Sequence, residues 1–151
     1  NCHGSGNLQS VRGLLNLTKS FSPNCVFLSE TRLSNQEMEA ICIKTGFKNC
    51  FTVNADGRRR GLALLWNEEL DLSIQSFSTS HIDLVIKLIG RDGYWRLTGI
   101  YGKSETHIRH ETWSLLCSLA RHYDNPWLFA GDFNEILVVV EKEGGSARDG
   151  R

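Results

Sequence analysis

The stretch Leu128-Phe129-Ala130-Gly131-Asp132-Phe133-Asn134-Glu135 runs apolar and then stops at a carboxylate and an amide. A buried strand ending in this way would carry Asp132 and Asn134 to the rim of a sheet. Side chains two apart on an extended backbone point the same way. Open α/β sheets place their chemistry at the carboxyl ends of strands. The segment Cys25-Val26-Phe27-Leu28-Ser29-Glu30-Thr31 has the same form: an apolar run, a small polar residue, then an acid. Two such strands can bring two hard carboxylates to one divalent cation. Mg²⁺ suits that set, because it keeps several waters and asks for only one or two carboxylates. A cation held so loosely favours phosphoryl substrates, whose oxygens complete its shell. Tyr101 ends the run Arg96-Leu97-Thr98-Gly99-Ile100-Tyr101 and offers a hydroxyl, and Asn134 and Asn1 offer amides. Taken singly, an Asp after a strand forms turns, a Glu there is solvated and a Tyr packs. Their succession, each at a strand end, points to chemistry.

The remaining pattern supplies the elements that would hold these groups. A short strand over 1–3 and the turn Gly4-Ser5-Gly6 precede a helix over 8–19, capped by Asn7, with Val11, Leu14, Leu15 and Thr18 on one face. After the strand over 25–29, Ser34 and Glu37 have the spacing of a capping box. They open a helix that buries Met38, Ile41 and Cys42 and stops at Gly46. Strands are expected over 49–53, 61–66, 70–78, 82–89 and 94–101, the last two joined through Gly90-Arg91-Asp92-Gly93. A helix over 106–122 with Ile108, Thr112, Leu115, Leu116 and Leu119 on its apolar stripe leads to a strand over 127–131. Cys25-Val26-Phe27-Leu28 and Leu62-Ala63-Leu64-Leu65 are apolar throughout, so both strands must be covered on both faces. The order is that of a mixed α/β domain.

The 151 residues suit one domain, and 17 Lys and Arg balance 17 Asp and Glu. There is no global basic field of the kind that marks many nucleic-acid binders. Arg58-Arg59-Arg60 is the one basic cluster and reads as a solvated loop. Five scattered cysteines without a Cys-x-x-Cys pair argue against a disulfide framework or zinc site, and for a reducing, intracellular setting. Cys25 and Cys117 read as small buried thiols. No stretch has the apolar length of a membrane span. The chain starts at Asn1 without Met or signal peptide, and residues 144–151 are loop-like. Both ends are expected to be cuts, with 1–151 a partial domain.

Asn1-Cys2-His3-Gly4, Leu28-Ser29-Glu30-Thr31-Arg32, Tyr101-Gly102 and Gly131-Asp132-Phe133-Asn134 resemble, in order, the motifs of the endonuclease/exonuclease/phosphatase superfamily. That group includes apurinic endonucleases, deoxyribonuclease I and inositol-phosphate phosphatases. A narrower likeness, to endonuclease domains of plant LINE-type (non-LTR) retrotransposons, is carried by other segments. These are Gly61-Leu62-Ala63-Leu64-Leu65-Trp66, His81-Ile82-Asp83, Trp95-Arg96-Leu97-Thr98-Gly99-Ile100-Tyr101-Gly102, Arg109-His110-Glu111-Thr112-Trp113 and Gly131-Asp132-Phe133-Asn134-Glu135-Ile136-Leu137 with Glu141-Lys142-Glu143-Gly144-Gly145.

The resemblance implies an α/β fold: a DNase I-like four-layer β-sandwich of mixed sheets flanked by helices, incomplete, with its C-terminal strands missing. It implies Glu30 as the principal Mg²⁺ ligand, with Mn²⁺ as a substitute, and Asn1 as a hydrogen-bonding member of the metal and phosphate cluster. Tyr101 would contact the scissile phosphate, Asp132 would orient or deprotonate the attacking water, and Asn134 would stabilise phosphoryl charge. Arg32 would bind the phosphate by charge. DNA is the implied substrate, a reverse transcriptase the implied neighbour in a longer polypeptide, and the nucleus or cytoplasm the implied location.

The chain departs from the pattern in places. His3 stands where some relatives carry an acid, the tryptophan expected before Asn1 is missing, and no Ser-Asp-His string occurs. His81 falls on a strand without a catalytic role in relatives, and His107, His110 and His122 read as surface or cap residues. The expectation is a DNA-nicking phosphodiesterase fold that is weak or inactive as this chain. The alternative is a non-catalytic remnant that binds nucleic acid or protein, and whether the chain is an enzyme stays open between the two. A small-molecule phosphatase is a third reading.

Overall fold

The computed structural model describes residues 8–54, 61–102, 105–121 and 124–134. Along the chain run α1 (Leu8–Phe21), β1 (Cys25–Ser29), α2 (Asn35–Thr45), β2 (Asn49–Val53), β3 (Leu62–Trp66), β4 (Leu70–Ser78), β5 (His81–Leu88), β6 (Trp95–Tyr101), a 3₁₀ turn (Thr106–Ile108), α3 (His110–Leu119) and β7 (Trp127–Asp132). The expected strand over 1–3 and the Asn7 cap lie outside the described residues, as do His3, Arg58–Arg60 and His122.

β1, β3 and β2 form one antiparallel sheet in that order. β4, β5, β6 and β7 form a second, antiparallel except where β6 meets β7 in parallel. The two sheets face each other across Val53, Leu62, Leu64, Ile82, Leu84, Ile86, Leu97 and Tyr101. The opposite face of the first sheet buries Leu28, Ala63 and Leu65 against Met38, Ile41 and Cys42 of α2 and Val11 and Leu14 of α1. Both faces of β1 and β3 are therefore covered, as their unbroken apolar runs require. Each fully buried Leu or Ile contributes roughly 1.5–3 kcal/mol through removal from water. Phe27 of β1 packs on Gly99 of β6, where a Cβ would overlap its ring.

α2 is delimited as its sequence predicts. Ser34 Oγ accepts from Glu37 N at 3.3 Å, Glu37 Oε2 accepts from Ser34 N at 2.8 Å, and Gly46 ends the helix at φ 86°. Donation to Glu37 Oε2 from Ser34 N and, at 2.9 Å, from Ser34 Oγ lowers the pKa of the Glu37 carboxyl.

The outer face of the second sheet carries a buried ion pair. Arg96 Nε and Nη2 donate to Asp83 Oδ1 and Oδ2, each at 2.9 Å, and Arg96 Nη1 donates to the Leu119 carbonyl at the end of α3. Thr98 Oγ1 donates to Asp83 at 2.6 Å and accepts from Trp127 Nε1 at 2.8 Å. The guanidinium also stacks 4.1 Å from the Trp127 ring centre. This cluster ties β5, β6, β7 and α3 together.

Two expectations need correction. The helix over 106–122 is a 3₁₀ turn over Thr106–Ile108 followed by a shorter α3, since an apolar stripe fits the tighter turn as well as an α-helix. Cys117 is exposed rather than buried, because the α3 stripe that faces the sheet is Ile108, Thr112, Leu115, Leu116 and Leu119. Cys25 is half-buried, and burial pushes its thiol up to about 11.

Candidate active site

The strand ends named above meet at one edge of the sandwich. β1 stops at Ser29, and Glu30 follows at φ 55°, a left-handed conformation that disfavours a branched continuation of the strand. Thr31 N donates to the Gly61 carbonyl at 3.1 Å and anchors the turn beside β3. Glu30 is only 8% exposed, and the Tyr101 hydroxyl donates to its Oε1. A carboxylate this deep needs such a donor or a cation.

Tyr101 ends β6 and lies opposite Asp132 in the parallel register with β7. Gly102 N donates to the Asp132 carbonyl at 2.6 Å, and Asn134 Nδ2 donates to the Gly102 carbonyl at 2.7 Å. The two strand tips are thereby pinned together. A Cβ on Gly102 would overlap the Phe133 backbone, and one on Gly131, at φ 139°, would overlap the Ile100 carbonyl. Both glycines allow a close approach that no other residue permits.

Strand alternation predicts that Asp132 and Asn134 share a side because both are extended. The structure replaces that reason. β7 ends at Asp132, Asn134 turns to φ 52°, and its backbone N–H donates to Asp132 Oδ1 at 2.8 Å. An Asx turn brings the pair together.

Glu30, Tyr101, Asp132 and Asn134 are thus linked at one end of the fold. Arg32 is exposed, two residues past Glu30 at φ 49°. Asn1 lies outside the described residues. His107 is exposed and contacts Glu105 at 3.8 Å, and His110 is exposed at the start of α3.

The donor set fits one loosely held hard cation. Glu30 and Asp132 are the carboxylates that would supply its oxygens, and among the described residues no group of three or more His, Cys, Asp and Glu could hold a metal ion by itself. Mg²⁺ needs no such group. His81, read from the sequence as a strand residue without a catalytic role, is buried near the Tyr101 end of the second sheet with both ring nitrogens against serine hydroxyls. Sequence reasoning passes over the Asp83–Arg96 pair, although an acid inside Ile82-Asp83-Leu84-Val85 is a visible signal of a buried partner.

Among the described residues no helix is long and apolar enough to cross a membrane. No curated protein matches the chain in sequence. Its fold is similar to that of the human Nocturnin catalytic domain with bound sulfate (TM-score 0.66, 12% identity, 90% of this chain and 62% of that one). It is also similar to an AP endonuclease from Archaeoglobus fulgidus (0.64, 18%, 89% and 55%). A third is the endonuclease domain of TRAS1, a telomere-specific non-LTR retrotransposon (0.60, 13%, 85% and 54%). The chain spans between 54% and 62% of the length of these three structures. The pattern of the Endonuclease/Exonuclease/phosphatase family matches residues 1–138, and the chain belongs to that family.

Proposed function

We propose that the chain derives from the DNA-nicking endonuclease of a plant LINE-type retrotransposon and keeps the core of a Mg²⁺-dependent phosphodiester hydrolase. The observation that carries this is the single connected group Glu30–Tyr101–Asp132–Asn134 at the strand tips. The TRAS1 domain among the similar folds supports the retrotransposon lineage. The narrower likeness to plant elements rests on the segments quoted above.

Glu30 is the principal residue to hold Mg²⁺, or Mn²⁺ in its place, with Asp132 beside it. The bound ion supplies charge neutralisation at the phosphoryl oxygens. The Tyr101 hydroxyl orients Glu30 and lies within the reach of a phosphate placed there. Asp132 has one oxygen committed to the Asx turn, and its second orients or deprotonates an attacking water. An amide nitrogen carries two hydrogens. Asn134 spends one on Gly102, which leaves the other for a phosphoryl oxygen. Arg32 attracts the substrate backbone by charge, and Asn1 joins the cluster as a hydrogen-bonding partner. A reverse transcriptase in the parent polypeptide and a nuclear or cytoplasmic site of action go with this lineage.

The 151 residues contain no Ser-Asp-His string, so the histidine that pairs with an acid in relatives has no counterpart here. Loss of one member of a catalytic unit costs orders of magnitude in rate. The chain is therefore expected to nick DNA weakly or not at all. Nicking of supercoiled plasmid in Mg²⁺, compared with Glu30→Gln, tests both halves. Robust nicking abolished by the substitution would overturn the inactivity and support the site. Nicking indifferent to Glu30 would overturn the site.

A further inference from the structure

On strict alternation, β4 would turn Ser76 and Ser78 toward the space between the sheets, alongside Leu72 and Ile74. The register against β5 shifts between Ile74 and Ser76, and the extra residue inverts the pattern. Phe77 now lies on the side of Phe51, its ring edge-on at 5.1 Å while more than half exposed, and the two serines reach the face that carries His81 and Asp83. Ser76 Oγ lies 3.0 Å from His81 Nε2, and Ser78 Oγ lies 2.8 Å from Nδ1. Ser78 Oγ also accepts from Ser80 N at 3.1 Å. The Ser80 carbonyl accepts from Tyr101 N at 2.9 Å, and the Tyr101 hydroxyl reaches Glu30. Hydrogen bonds joined through the Ser80 backbone and the Tyr101 residue connect a buried imidazole, by way of the hairpin turn, to the candidate metal ligand.

We propose that His81 is a positioning residue for Tyr101, fixing the hairpin turn at 78–80 and with it the end of β6 that aims the hydroxyl at Glu30. An aliphatic side chain would fill the same space opposite Ile100 at lower desolvation cost, but without direction. The serine–imidazole–serine bridge supplies direction, since hydrogen bonds weaken steeply off axis. The relevance of this to chemistry rests on the proposed role of Glu30 and Tyr101; the mechanical coupling does not.

The charged groups acting on His81 are Asp83 on its own strand and Arg96 on β6, and from α3 the nearest acid to the 78–80 turn is Glu111. Glu111 lines a pocket of about 220 Å³ with Ser78, Thr79, Ser80 and Thr112. β4 presents only the two serine hydroxyls. Burial holds the imidazole below its ordinary pKa, Asp83 opposing and Arg96 adding to the effect.

The test uses the whole chain with ¹³C-labelled tyrosine rings, the Tyr101 signal assigned by its loss in Tyr101→Phe. His81→Phe and Ser78→Ala are each expected to shift that signal, and His81→Gln to restore it in part. In the unsubstituted chain the Tyr101 signal is expected to move with the same midpoint as the His81 imidazole, which lies below the ordinary histidine value of 6.5. If His81→Phe does not fold, Ser78→Ala and this titration decide. A Tyr101 signal indifferent to both would overturn the proposal. Mn²⁺ affinity, read by electron paramagnetic resonance, is expected to fall about tenfold or more in both variants, the range for outer partners of metal ligands. A shifted tyrosine without Mn²⁺ binding in any variant would sink the metal reading and leave the positioning intact.

Discussion

Tyr101, at the end of β6 in one sheet, gives its hydroxyl hydrogen to Glu30, which follows β1 in the other. The bond crosses the sandwich and holds a buried carboxylate in place. Tyr101→Phe keeps the ring and removes the donor. It is expected to cost about 1–3 kcal/mol, the penalty for stripping a donor from a buried charged group, and to weaken Mn²⁺ binding at Glu30. Urea unfolding and a Mn²⁺ titration check the two effects separately. Unchanged Mn²⁺ affinity in folded Tyr101→Phe would show that the hydroxyl does not orient the acid.

The Asp83–Arg96 pair lies in the interior at 1% exposure on each side. Asp83→Ala removes the carboxylate that neutralises a buried guanidinium and is expected to cost about 3–5 kcal/mol in urea unfolding. Thr98→Val removes a donor to the same carboxylate and the acceptor of Trp127 Nε1 but leaves the ion pair, and should cost less, about 1.5–3 kcal/mol. Equal losses from the two would contradict the ionic account.

Stability should also depend on pH through His81. Its folded pKa lies below the ordinary 6.5 because burial disfavours the imidazolium. Between the two values the unfolded chain binds the proton and the folded chain does not. Stability from this group is complete above about pH 6.5 and is lost as pH falls through the folded pKa. His81→Gln should flatten that part of the profile. A decline of the same size in both proteins would assign it to other groups.

At the strand tips Gly131 adopts φ 139° with the Ile100 carbonyl where a Cβ would stand. Gly131→Ala combines backbone strain with a clash, each worth about 1–3 kcal/mol. It is expected to break the pairing of Ile100 with Gly131 and to separate Tyr101 from Asp132. Loss of amide-exchange protection confined to the ends of β6 and β7 would confirm this. Protection lost evenly across the second sheet would not.

Much of this was visible in residue order. The capping box at Ser34, the stop at Gly46 and the doubly apolar strands follow from local rules and covered faces, and β1, β2 and β4 coincide with their expected ranges. Glu30, Tyr101, Asp132 and Asn134 were recognisable as strand-end residues. What escaped depends on geometry that periodicity does not encode. The extra residue near Gln75 reverses which side chains of β4 face inward, so the serines opposite His81 could not be assigned from alternation. The Asx turn at Asn134 likewise looks, residue by residue, like a continued strand. α3 came out too long, because an apolar stripe continues through a 3₁₀ turn as readily as through an α-helix.

The parallel pairing of β6 with β7 also governs the order in which the molecule can assemble. Neighbouring antiparallel strands zip from a nearby turn, but these two can meet only after the intervening crossover, with α3 inside it, has closed. The entropy of that closure comes first and its reward last, so contacts of this kind are slow to form. The acids at 30 and 132 should therefore be among the last groups brought together during folding, with that end of the fold completed only once the rest of the second sheet stands.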